Sequence, residues 1–244
     1  MRYIILFFLL AITLSINAQE TPIQGSFKRT IQLENNKNIT ELWKFVDNYF
    51  VVSAYNSDAK SFYYTYGGNY YTVKDKLKAS VRFSYYGPAK FGENLDCEYS
   101  LDSNTLSIQG IANNLVREDF ALNTAISQTW IITGRKVNDS IVLRRVGARK
   151  TLKILTEKNF QWIAFDEEKG LFRGTGGGKY EADKGVYTEH IEFFSRDSSR
   201  VGQSLSFDYA IKDENWIHSG LSSKGKPIYE IWSPLRLAER KNKQ

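Results

Sequence analysis

The sequence predicts an all-β protein built from two tandem antiparallel, up-and-down β-barrels of about eight strands each. Three observations point there. Aromatic residues make up 14% of the 244, led by 15 Tyr and 15 Phe, and such rings pack well on a pleated, half-buried surface. The second half repeats the first at an offset of 110 positions. Short apolar runs recur every eight to twelve residues between turn-forming residues, with no helical period of useful length between them.

The N-terminus has the layout of a secretory signal. Arg2 gives a positive start, Ile4–Leu14 an apolar centre, and Ser15-Ile16-Asn17-Ala18 a small-residue end. Cleavage is expected near Ala18/Gln19, giving an exported protein, periplasmic or secreted. The apolar run is shorter than the ~20 residues of a membrane span, so no transmembrane segment is expected. Cys97 is the only cysteine, so neither a disulfide framework nor a cysteine zinc site is expected. The net charge of +6 comes from Lys and Arg scattered among Asp and Glu, which gives no basic footprint for nucleic acid.

The repeat runs ungapped from Phe50/Phe160 to Gly110/Gly220 and includes Thr65/Thr175, Gly67/Gly177, Gly68/Gly178, Tyr70/Tyr180, Phe83/Phe193 and Tyr99/Tyr209. Beyond it, a slip to 112 would align Val116/Ile228, Glu118/Glu230 and Phe120/Trp232, and Phe27 corresponds to Trp130. A period this long marks a duplicated domain, not a solenoid. The units are placed at 23–124, a degenerate copy, and 125–236, a better-kept one, with a polar tail at 237–244. In the second unit strands are expected near Thr129–Gly134, Thr151–Leu155, Phe160–Phe165, Leu171–Tyr180, Tyr187–Arg196, Ser204–Ile211, Trp216–Leu221 and Ile228–Trp232. Closure of such a meander removes exposed edges.

Alternation sorts the faces. Leu77, Ala79, Val81, Phe83 and Tyr85 form one face, expected inward, and Tyr187, Glu189, Ile191 and Phe193 form its counterpart. The glycine run Gly174, Gly176, Gly177, Gly178 before Lys179 lacks the GxxxxGK[ST] pattern of a phosphate loop. It is read as a bend, bulge or close strand approach.

The segments ARKTLKIL at Ala148–Leu155, GTGGGKY at Gly174–Tyr180, YTEHIEFFSRDSSRVG at Tyr187–Gly202 and HSGLSSKGKPIYEIW at His218–Trp232 together resemble a family of secreted, lipocalin-like bacterial proteins that often carry two such units. The resemblance covers the second unit closely and the first more loosely; a Trp opening each unit would be expected, and Phe27 replaces it in the first. It implies a calycin-type barrel and an exported location, and no activity.

The candidate site residues lie in the second unit. Glu189 is expected inward, where Ala79 stands in the first, and a buried carboxylate needs a partner. Arg173, replaced by Tyr63 in the first unit, is the leading candidate, with Arg196 and Arg200 as others. A structural ion pair, an orienting group in a ligand cavity and a general acid or base remain open for Glu189. Trp162, Phe193, Trp216 and His218 would complete a ligand cavity, with Arg196 and Arg200 at its rim; Ser222-Ser223-Lys224 would add polar rim groups. His190 and His218 are the only histidines, and no spacing builds a metal site from them. No nucleophile motif or cofactor fingerprint is present. The function expected is non-enzymatic binding of a small hydrophobic or amphipathic molecule in the second barrel. The alternatives are an envelope interaction module with solid barrels, and a barrel enzyme using Glu189 and His218.

Overall fold

The computed structural model describes residues 23–120, 124–222 and 224–241; the expected signal segment lies outside them. The described chain is all-β, with two closed antiparallel eight-stranded barrels. The first comprises β1 (Gly25–Gln32), β2 (Asn38–Val46), β3 (Tyr49–Asn56), β4 (Ser61–Val73), β5 (Lys76–Tyr85), β6 (Asn94–Leu101), β7 (Thr105–Ile108) and β8 (Ala112–Asp119). Each strand pairs with its successor, and β1 with β8 closes the ring.

The second unit supplies β9 (Thr129–Val137), β10 (Ser140–Leu143), β11 (Arg149–Leu155), β12 (Asn159–Asp166), β13 (Leu171–Asp183), β14 (Val186–Phe194), β15 (Ser204–Lys212), β16 (Asn215–Leu221) and β17 (Pro227–Pro234). All eight expected strands form. The added one, β10, is a hairpin arm on the far half of β9, while β9 with β17 closes the barrel. The expected polar tail contains most of a short helix, α1 (Leu235–Lys241), whose Leu235 and Ala238 are buried.

The two copies share two irregularities. Register shifts fall at Ala54/Tyr55 and Ala164/Phe165, and again at Gly67/Gly68 and Gly177/Gly178. At the second of these a Cβ on Gly68 would lie 2.0 Å from the Ser80 carbonyl oxygen, and one on Gly178 2.0 Å from that of His190. Only glycine lets the strands approach this closely. Each bulge adds a residue to the facing strand, Arg82 or Glu192, so every later side chain changes face. Phe83 and Phe193, expected inside, therefore point out. Phe193 packs on Tyr55 and Phe62 of the first barrel, and Phe83 packs on Phe165 of the second. Tyr85, likewise expected inside, stacks on Phe62 and Phe172.

Those outward rings join the barrels. A buried cluster of Val46, Tyr49, Val51, Phe83, Ile131, Leu152, Ile154, Ile163, Phe165, Leu235 and Ala238 lies between them. Exchanging repeat-equivalent residues turns the Phe83–Phe165 contact (5.0 Å) into Tyr55–Phe193 (4.6 Å), the mark of a pseudo-two-fold axis. Gln161 sits near that axis, its amide donating to both Thr65 Oγ1 and Thr175 Oγ1, which are repeat equivalents. Its Oε1 accepts from the fully buried Lys44 Nζ at 3.2 Å. Asp119 adds a second tie, accepting from Ser26 in the first barrel and from Thr156, Lys158 and Asn159 in the second.

The register corrects the expected slip to 112: Ala112 faces Ile108 as Glu230 faces His218, so Glu118 is not the counterpart of Glu230. Leu115 faces Leu106 as Trp232 faces Trp216, so Leu115, not Phe120, is the counterpart of Trp232. Phe120 is exposed and lies beyond β8.

Candidate functional site

Inside the second barrel is a cavity of about 270 Å³. Its apolar wall includes Trp162, Ile191, Phe194, Leu205, Phe207, Ile228 and Trp232, and its polar lining Thr151, Lys153, Glu189, His218 and Glu230, with Arg200, Gln203 and Ser222 also in the lining.

Lys153 organises the polar floor. Strand alternation on β11 places it on the same face as Thr151 and Leu155, with Leu152 and Ile154 turned to the neighbouring barrel. Its ammonium bonds Glu189 Oε1 at 2.9 Å, both side chains being less than a tenth exposed. It also lies 4.9–5.3 Å from the ring centroids of Tyr187, Trp216 and Trp232. Attraction between a cation and ring faces adds to the ion pair in this desolvated setting. Burial, with the Glu189 charge adding, pushes the Tyr187 phenol well above its ordinary range.

His218 forms the second polar unit. Its Nδ1 lies 3.3 Å from Glu230 Oε2, which also accepts from Trp232 Nε1 at 3.1 Å. Burial lowers the His218 pKa and the Lys153 charge lowers it further, against the opposing pull of Glu230. For Glu230, burial alone would raise the pKa, but the His218 hydrogen bond and the Lys153 charge bring it below the usual range. With Glu230 ionised, Nδ1 must donate. Nε2 is then the acceptor of a neutral imidazole, and it is buried with no hydrogen-bond partner among the described residues.

The structure sorts the expected site residues into two groups. Glu189, Trp162 and His218 line the cavity, as does Arg200 from the expected rim. Trp216 is fully buried behind it, in contact with His218 and Lys153. Phe193 is not part of the site, because the Glu192 bulge turns it outward. Arg173 lies at the exposed end of β13 and is not the partner of Glu189. Arg196 is also exposed and absent from the cavity lining. Lys153 and Glu230 were missed. Period-two reading of Thr151, Lys153 and Leu155 against Leu152 and Ile154 would have placed Lys153 inside.

The first barrel has filled the equivalent space. Trp43 stands at the register position of Lys153, Ala79 at that of Glu189 and Ile108 at that of His218. Tyr66 pairs with Val52 where Gly176 pairs with Trp162, and Tyr64 replaces Gly174. A Cβ on Gly176 would lie 2.8 Å from Trp162 and 2.9 Å from Phe194. The glycine run thus has two roles: Gly177 and Gly178 shape a bulge region common to both copies, while Gly174 and Gly176 leave room for the Trp162 wall. No family model, no curated protein and no solved structure matches the chain.

Proposed function

We propose that this is an exported, non-enzymatic protein whose second barrel binds a small, partly apolar molecule, and whose first barrel is a solid companion. The observation that carries the reading is the contrast between the interiors: a cavity with aromatic walls and a polar floor in one, and Trp43, Tyr64 and Tyr66 in the equivalent positions of the other. A volume just under the ~300 Å³ lower end of common ligand pockets suits a single-ring molecule. Binding is favoured over catalysis because Glu189, the candidate catalytic carboxylate, is engaged by Lys153. The N-terminal apolar segment before Ala18 supports export.

The test closes the cavity with the first barrel's own solution. The double variant Trp162→Val/Gly176→Tyr reproduces the Val52–Tyr66 pair. A screen of single-ring organic molecules is expected to raise the wild-type Tm by several degrees at ligand concentrations far above Kd, and to leave the folded double variant unmoved. Native mass spectrometry of protein purified from its host gives an independent readout. Equal responses from the two proteins would overturn the reading, as would no response and no adduct from wild type.

A further inference from the structure

Charge counting in the cavity gives its ligand a sign. Two carboxylates, Glu189 and Glu230, line the same space as one ammonium, Lys153. Lys153 is in contact with Glu189 at 2.9 Å. Among the described residues, the hydrogen-bond partners of Glu230 are an imidazole and an indole N–H. His218 could balance it only as an imidazolium, which would bury an Nε2–H that has no acceptor among the described residues. An unsatisfied charged donor is among the costlier groups to bury. The geometry therefore keeps His218 neutral and leaves the floor one negative charge in excess. Arg200, also in the lining, does not cancel it, because its guanidinium is held by Asp197 at 3.0 Å. The Glu230 side chain is about a quarter exposed, while Glu189 and Lys153 are almost sealed.

We propose that the second barrel takes an organic ammonium ion, a compact ring or chain bearing one amine, with the cation at Glu230 and the apolar part against the aromatic wall. This rests on the cavity being a ligand site. Trp232 both borders the cavity and donates to Glu230, so the carboxylate is fixed at the edge of the aromatic wall, where it can accept a charge-assisted hydrogen bond from an ammonium while the apolar part of the ligand lies on that wall.

Calorimetric titration of the full protein at pH 7 with benzylamine, benzyl alcohol and benzoate separates the possibilities, since the three share a ring and differ in charge. Benzylamine is expected to bind at least tenfold more tightly than benzyl alcohol, the scale of a hydrogen bond to a buried charge, and benzoate most weakly. In Glu230→Gln, benzylamine should fall to about the level of benzyl alcohol, whose own affinity should not change. If Glu230→Gln fails to fold, the wild-type ranking alone decides. Benzyl alcohol or benzoate binding as well as benzylamine would overturn the charge assignment and leave the ligand site standing. If none of the three binds, and the Trp162→Val/Gly176→Tyr protein behaves as wild type in the screen, the site reading falls and this inference with it.

Discussion

Lys153 is 3% exposed, yet carries a charge held by one carboxylate and three rings. Removing one member of a buried ion pair leaves the other uncompensated, which costs about 3–5 kcal/mol, whereas removing both costs far less. Lys153→Met should therefore lower the unfolding free energy by about that amount, and Lys153→Met/Glu189→Gln should recover much of the loss, as read by urea denaturation. A single-variant loss below about 1 kcal/mol would mean that Glu189 has another partner. At this scale the sequence was half legible. Inward Glu189 followed from alternation along β14. Its partner did not, because a partner is chosen across the barrel, and Lys153 and Glu189 stand on strands that are not neighbours in the sheet.

At the scale of elements, strand positions are written in turn residues and alternation, and the second unit shows all eight where expected. The bulges are not written there. The strand that changes face reads as unbroken alternation through Ile191, Glu192 and Phe193, while its cause, Gly178, lies on the neighbouring strand. That is why alternation alone points Phe193 into a cavity it faces away from. Gly178→Ala would drive a methyl group into the His190 carbonyl oxygen and the Glu192 backbone nitrogen. A loss of about 2–3 kcal/mol is expected from such overpacking, and Gly68→Ala should cost a similar amount at the equivalent site. Gly92→Ala is the control: its positive φ carries strain, but its Cβ would meet nothing within 4 Å. An alanine tolerated at Gly178 within 0.5 kcal/mol would contradict the close approach.

For the whole molecule, the duplication was legible in the glycines and aromatics, but the docking of the two copies was not. Part of the contact is made by Phe83, Tyr85 and Phe193, which read as barrel interior until the bulges are known. The contact also buries Lys44, from which a pH dependence of stability is expected. Burial lowers the Lys44 pKa to about 7, against the opposing pull of Glu192 and Asp119, with Lys179 lowering it further. An unfolded lysine titrates near 10.4, so between these values the unfolded state binds more protons and stability rises with pH. Below about pH 7 Lys44 is charged in both states and its penalty is complete. Urea denaturation of wild type should show unfolding free energy climbing from pH 7 to 9.5, by up to ~1.4 kcal/mol per pH unit from this group. Lys44→Met should lose that rise and be the more stable protein at pH 7. Parallel pH profiles for the two proteins would rule Lys44 out as the source.

The pseudo-two-fold contact between the barrels has a further meaning. A face on which residue i meets j and j meets i is complementary to itself, and two free copies using it would form a dimer that parts on dilution. Carried on one chain, the same pairing becomes intramolecular and indifferent to concentration. Identical subunits must also carry identical interiors, so a dimer of this kind would have two cavities or none. Encoding the partners separately within a single chain lifts that constraint, letting one copy close around Trp43 and Tyr66 while the other keeps its interior open at Gly174 and Gly176.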